Sequence, residues 1–346
     1  MDTKLLNQID FVSFFLDQFI YPLIILFILL IFTKQIAVET NLIDKPDKIR
    51  KFHKHPTPML GGLFLIIVIS ADILLNNLLY LLNFYFWILI FCLIGLIDDL
   101  KKLKSEIKIL LISLTTIIFL IFDNSLVIYD FFSDTLSRNV NLNFNNNNFI
   151  PYFFTILSCL LLFNAMNMID GLNGICAGTF IIYYSSILIL FPINNNLLNI
   201  VLLIIIFLII FLTLNLNGKI FLGDSGNYIL SAILIYYLIK LDNEFSEISG
   251  ERIFLVLSIP GLDMLRLFIT RILNNSNPLK PDRNHLHHLL KNYFKSNFKT
   301  FIAYMAIIAF SVTLIPIFSF NIIFGVFFIC VSYCLLIFIL KSLISK

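Results

Sequence analysis

The sequence predicts an all-α polytopic membrane protein of about eleven transmembrane helices, N-terminus outside and C-terminus inside, with a site on the cytoplasmic face. Three observations predict it: the composition, the spacing of the apolar runs, and the sorting of lysine and arginine. Of 346 residues 59% are hydrophobic and only 13% charged, against roughly 25% charged in soluble domains. A bilayer core takes about 20 apolar residues per helix. Runs of about that size fall near 11–32, 59–76, 83–97, 105–122, 149–168, 174–192, 197–216, 226–241, 251–273, 299–317 and 320–341. Cytoplasmic loops of membrane proteins collect basic residues. With the N-terminus outside, only Lys4, Arg138, Lys240 and Arg252 of the 24 basic residues fall on the outer side.

The remaining composition narrows the class. A net charge of +3 is too small to argue for nucleic acid. Cys92, Cys159, Cys176, Cys330 and Cys334 all lie inside apolar runs without metal-type spacing, so they read as core residues and not as disulfides or a zinc site. The apolar stretch of the first run, around Phe19 to Phe32, follows Asp2, Asp10 and Asp17 instead of a basic segment and lacks a small-residue cleavage site, so it reads as a retained helix. The chain reads as one integral membrane domain over residues 1–346, its motifs lying between 50 and 288.

Polar signatures interrupt this hydrocarbon, and all map to the inner side. Asp98 and Asp99 end the third run; two adjacent carboxylates there serve either as a solvated helix end or as a site, since neighbours on a helix point about 100° apart. Lys101, Lys102 and Lys104 follow and suit anionic lipid. In NAMNMIDGLNG the residues Asn164, Asn167 and Asp170 recur every third position and so share one helix face. Gly171 and Gly174 then allow a tight turn. FLGDSG sets Asp224 between glycines, where backbone N–H groups and a carboxylate suit a metal and phosphates. Phe221 fills core or stacks on a base. DRNHLHH brings Arg283, His285, His287 and His288 together without a thiolate partner, which favours phosphate over zinc. The basic loop RKFHKHPTPMLGG returns to the membrane through Pro56, Pro58, Gly61 and Gly62. Pro260 and Gly261 predict a break in the ninth helix, and Asp263 and Arg266 either pair or line an acceptor groove.

In this order the motifs resemble the polyprenyl-phosphate N-acetylhexosamine-1-phosphate transferase family (glycosyltransferase family 4). The resemblance is to its O-antigen and common-antigen initiating branch, related to phospho-N-acetylmuramoyl-pentapeptide transferase. His-Leu-His-His resembles the first branch more than the second. The resemblance implies transfer of a sugar 1-phosphate from a UDP-sugar to undecaprenyl or another polyprenyl phosphate at the inner membrane, releasing UMP and starting a surface glycan such as lipopolysaccharide O-antigen. It implies Mg²⁺ or Mn²⁺ as cofactor and admits a homodimer. Asp98, Asp99 and Asp170 would be the catalytic acids, Asp98 as base or positioner of the lipid phosphate and Asp170 beside the nucleotide. Asp224 and Asn167 would hold the metal. Lys51, His53, Asn173, Phe221, Arg283, His285, His287 and His288 would bind the donor. Asn173 stands where many relatives have an acid, and Asn215 receives no role. The rivals are the peptidoglycan enzyme itself and a secondary transporter, the latter expected to hold its ionisable groups nearer the bilayer midplane.

Overall fold

The computed structural model describes residues 18–46, 55–76, 78, 81–133, 135–136, 138–141, 149–190, 195–244, 249–277 and 283–344. Helices dominate. A bent pair, α1 (Gln18–Ile31) and α2 (Thr33–Thr40), meets at 71°. A two-residue strand pair follows, β1 (Ile43–Asp44) antiparallel to β2 (Thr57–Pro58). Then come α3 (Gly61–Leu75), α4 (Leu82–Lys101), α5 (Ser105–Phe122), a hairpin of β3 (Asp130–Ser133) and β4 (Arg138–Asn141), and α6 (Phe149–Ile169). The remainder is α7 (Ile175–Leu190), α8 (Asn195–Leu216), α9 (Gly223–Glu244), α10 (Gly250–Leu273), the short amphipathic α11 (Leu286–Phe294), α12 (Asn297–Ile317) and α13 (Ile322–Ile344).

Among the described residues seven helices are long and apolar enough to cross a bilayer, and eight if the bent pair forms one span. The protein is therefore polytopic. The eleven expected runs correspond to helical segments one for one, but α3 and α7 are short and α9 falls outside the seven. The first run departs most from expectation: its helical part runs past Phe32 and turns there, so that α2 carries Lys34 and Glu39 away from the direction of α1.

The expected break at Pro260 is absent. Helix α10 runs continuously from Gly250 to Leu273 with Pro260 buried inside it. Proline removes one N–H from the ladder, and neighbouring helices in a membrane bundle re-satisfy what it frees.

Helix α9 is the centre of the bundle. It packs against α3, α4 and α6, and Ile229, Leu230, Ala232, Ile233, Leu234 and Tyr237 along it have no exposed surface. Small residues permit this approach, as in membrane helix pairs generally. A methyl added at Gly95 of α4 would run into the backbone of Ser225, and one at Gly62 of α3 into the backbone of Gly226. Trp87 of α4 donates its indole N–H to the Ala232 carbonyl at 3.0 Å, fixing the rotation of one helix on the other. The amino end of α9 is thus pressed against the carboxyl end of α4, which carries Asp98 and Asp99.

Candidate active site

Four segments meet at that end of the bundle, and the local sequence explains each placement. The 57–62 segment runs beside 221–222: Phe221 N–H donates to the Pro58 carbonyl at 2.7 Å, Gly61 N–H to Phe221 at 3.1 Å and Gly62 N–H to Leu222 at 3.0 Å. These bonds bind TPMLGG to FLGDSG. Gly223 then turns with φ +76°, a left-handed conformation that glycine adopts without strain. A side chain there would also meet the Asp99 carboxylate at 2.7 Å.

The two acids of α4 have separate surroundings. Asp99 turns towards α9, and its Oδ1 accepts from Asp224 N–H at 2.7 Å. Its Oδ2 accepts from Ser225 N–H at 3.1 Å and from Ser225 Oγ at 2.8 Å. It therefore caps the first turn of α9 from another helix, where unpaired N–H groups and the helix dipole favour a negative charge. This corrects the expectation that the backbone N–H groups of FLGDSG stand open to phosphate: those of Asp224 and Ser225 are taken by Asp99. Asp98 is buried; its Oδ1 accepts from Leu103 N–H at 2.8 Å beyond the helix end, and its Oδ2 is ion-paired with Lys108 Nζ.

Lys108 joins the acids into one cluster. Its Nζ also lies 3.6 Å from Asp224 Oδ2, so one ammonium faces two carboxylates. Asp224 Oδ1 accepts from Asn167 Nδ2 at 2.7 Å, which brings α6 into the same cluster. The expected polar stripe on α6 divides: Asn164 bonds back to the Leu160 carbonyl of its own helix at 3.0 Å, Asn167 reaches Asp224, and Asp170 stands exposed at the turn beyond the helix.

The α6–α7 turn is held from α8. Buried Asn215 accepts from Gly174 N–H at 2.6 Å and donates to the Ile220 carbonyl at 2.8 Å. It therefore stitches NAMNMIDGLNG to the turn before FLGDSG. Asn173, half-buried, lies over Gly218, where an added methyl would meet its Nδ2 at 3.4 Å. Phe221 is half-buried and held through its backbone.

The histidine segment arrives beneath the same turn. His285 is buried and its Nδ1 lies 3.0 Å from Asp263 Oδ2. His287 is 1% exposed, with its Nε2 set so closely under Gly171 that a side chain there would collide with it. Its ring stacks near-parallel on His285 at 5.6 Å and lies 4.2 Å from His288. Burial, then the neighbouring imidazoles of His288 and His285, hold His287 well below the usual histidine range, so it is neutral. His288 is half-buried and Arg283 exposed. Asp263 and Arg266 do pair, at 2.8 Å. Lys51 and His53 lie outside the described residues.

Sequence reasoning passed over two residues. Lys108 counted only as a cytoplasmic charge; the signal available was a lysine on the first turn of an apolar helix. Asn215 received no role. An asparagine at the end of an apolar helix is a polar group that needs buried partners.

The donor set suits a divalent cation in one respect. Among the described residues no three His, Cys, Asp or Glu side chains converge as a ready-made centre. Magnesium, however, is commonly held by one or two carboxylates with the remaining places left to water and substrate phosphates. Asp98 and Asp224, sharing a single ammonium, form such a pair. A separate apolar cavity of about 450 Å³, lined by Leu162, Leu238 and Leu257 among others, opens near the far end of α9 and the start of α10, away from the acids.

The profile of glycosyl transferase family 4 matches residues 81–242. A probable undecaprenyl-phosphate N-acetylglucosaminyl 1-phosphate transferase of Bacillus subtilis (strain 168) is 29% identical over 280 residues, 79% of this chain and 76% of the relative. The undecaprenyl-phosphate alpha-N-acetylglucosaminyl 1-phosphate transferase of Escherichia coli O157:H7 is 26% identical over 282 residues, 75% of this chain and 72% of the relative. A phospho-N-acetylmuramoyl-pentapeptide-transferase of Prochlorococcus marinus (strain NATL2A) is 32% identical over 226 residues, 58% of each chain. The segment that matches glycosyl transferase family 4 carries Asp98, Asp99, Lys108, Asn167, Asp170 and Asp224.

Proposed function

We propose that the protein transfers N-acetylglucosamine 1-phosphate from UDP-N-acetylglucosamine to undecaprenyl phosphate, releasing UMP. The observation that carries this reading is the Asp98–Lys108–Asp224 cluster, bonded to Asn167, at the ends of apolar helices. Reaction between two phosphates is opposed by their charge, so catalysis rests on positioning and on cations among the phosphate oxygens. An ionic cluster at helix ends serves that need where a lipid-borne phosphate meets a water-soluble donor. The names of the Bacillus and Escherichia relatives supply the sugar and the acceptor.

An oxygen of the lipid phosphate attacks the β-phosphorus of the donor. The bond from that phosphorus to the bridging oxygen breaks, UMP leaves, and the lipid carries a diphosphate-linked sugar. Asp98, buried and ion-paired, orients the acceptor end of the site, while Lys108 supplies positive charge between the acids. Asp224, with Asn167 fixing one of its oxygens, faces the diphosphate. Asp98 and Asp224 would hold a magnesium ion, which would supply positive charge against the charge that develops on the phosphates. Asp99 acts on Asp224 and not on substrate. Asp170 and Asn173, on the α6–α7 turn, would take the nucleotide, and Arg283 and His288 would also bind the donor. The topology that suits this chemistry is eleven spans, N-out and C-in, with the acids at the cytoplasmic face of the inner membrane. The product would start a surface glycan.

The test is purified protein with undecaprenyl phosphate, Mg²⁺ and a panel of UDP-sugars. Metal-dependent UMP release, lost in Asp224→Asn, is expected with UDP-N-acetylglucosamine. Its absence across the panel refutes the reading.

A further inference from the structure

A second buried polar assembly, centred on Asp263, stands apart from the acid cluster. Asp263 is 2% exposed, and four groups from three elements address its carboxylate. Arg266 Nη2 donates at 2.8 Å, Tyr333 Oη of α13 at 2.7 Å, and Leu286 N–H at 3.1 and 3.2 Å to the two oxygens; His285 Nδ1 lies at 3.0 Å. Guanidinium and backbone N–H groups only donate. Tyr333 Oη accepts from Arg266 Nε at 3.0 Å, so its own hydrogen goes to Asp263. A carboxylate ringed by donors needs no proton of its own, and the hydrogen of the remaining contact therefore lies on His285 Nδ1. That assignment follows from the network, as tautomers must. It leaves Nε2, on the side of the ring away from Asp263, as the nitrogen available to a ligand.

The same acid places the whole histidine segment. Leu286 opens α11, whose N-cap residue His285 makes no side-chain cap bond; Asp263 supplies from α10 the acceptor which that helix end lacks. Arg266 Nη2 also holds the Asn284 carbonyl at 2.6 Å. Residues 284–286 are thus fixed to one turn of α10, and His287 is set from there beneath Gly171. A buried ion pair is a weak source of net stability, and apolar residues of similar volume would pack as well. Precise placement of a neighbouring group is the better account of it.

We propose that Asp263 is a positioning residue for the transfer site: through its bonds to His285 Nδ1 and Leu286 N–H it sets the tautomer and place of His285, so that Nε2, left as an acceptor, takes a hydrogen bond from a hydroxyl of the donor. The proposal rests on the transferase reading above. Carboxylates elsewhere orient imidazoles in this way.

The experiment is a double-mutant cycle on UMP release with purified, detergent-solubilised protein: wild type, Asp263→Asn, His285→Gln and both together, each with its thermal midpoint. An asparagine amide turns an N–H donor towards His285 Nδ1 and reverses the tautomer. The expected result is a fall in kcat on the order of 10²-fold for Asp263→Asn, KM for undecaprenyl phosphate within about twofold, and a double variant no worse than His285→Gln alone. Losses that multiply in the double variant, or Asp263→Asn within about threefold of wild type, overturn it. Should Asp263→Asn not fold, Arg266→Lys with and without His285→Gln is judged by the same criterion. An active wild type unaffected by these changes sinks the positioning role alone, whereas an inactive wild type sinks the transferase reading with it.

Discussion

The carboxylate of Asp99 accepts the backbone N–H of Asp224 at 2.7 Å, across the contact between α4 and α9. Of two adjacent acids on one helix, the second therefore builds the first turn of α9 and the first, Asp98, is left to face Lys108 and the site. Asp99→Ala removes a helix cap worth about 1 kcal/mol and frees Asp224 to shift. We expect a loss of UMP release on the order of 10²-fold, with Asp99→Asn, which keeps one acceptor oxygen, losing less. Paired activity and thermal-melting measurements on both variants check this; equal, complete inactivation with unchanged melting would place Asp99 on the substrate instead.

Lys108 sets the charge of the cluster. Lys108→Met leaves buried Asp98 without its ammonium and brings Asp98 and Asp224 together as like charges. Loss of this cation is expected to lower kcat about 10²–10³-fold, with less Mg²⁺ needed for half-maximal rate, because the two carboxylates no longer share an ammonium. Rate against Mg²⁺ concentration is the measurement. A variant with wild-type kcat and Mg²⁺ response removes Lys108 from the site.

Gly95 fixes how near α9 comes. Gly95→Ala drives a methyl into the Ser225 backbone, and overpacking of this kind costs about 1–3 kcal/mol. Leu93→Ala, at an exposed position two residues earlier, is the control. Thermal melting in detergent is expected to fall for the first and hold for the second.

Asn215→Ala leaves buried Gly174 N–H without its acceptor and the Ile220 carbonyl without its donor. An unpaired buried group costs about 1–3 kcal/mol. The expected signature is a lower melting midpoint together with a raised KM for the UDP-sugar, because the turn bearing Asp170 and Asn173 loosens. KM for the lipid stays near wild type; a change there instead would contradict the placement of this turn beside the nucleotide.

Much of this arrangement was legible in the sequence, and the reasons it stopped short are physical. Hydrophobic runs marked the helices because a bilayer sets their length. The motifs were visible because ionisable residues are rare in such a chain. Pair geometry was not: one residue of rotation along α4 decides whether Asp98 or Asp99 meets α9, and spacing carries no record of which helix lies alongside. Pro260 misled because a proline signals a lost hydrogen bond, while tolerance of that loss depends on neighbours. Lys108 and Asn215 were hidden because their partners, Asp224 and Gly174, lie 116 and 41 residues away along the chain.

The central claim is that a sugar travels together with its phosphate. UDP-N-acetylglucosamine labelled with ³²P in its β-phosphate is supplied with undecaprenyl phosphate, Mg²⁺ and purified protein, and the lipid and aqueous phases are separated. The account predicts the label in the lipid, unlabelled UMP in water, and neither with Asp98→Asn or Asp224→Asn. Label left in water as UDP while the sugar enters the lipid, or no metal-dependent transfer at all, contradicts it.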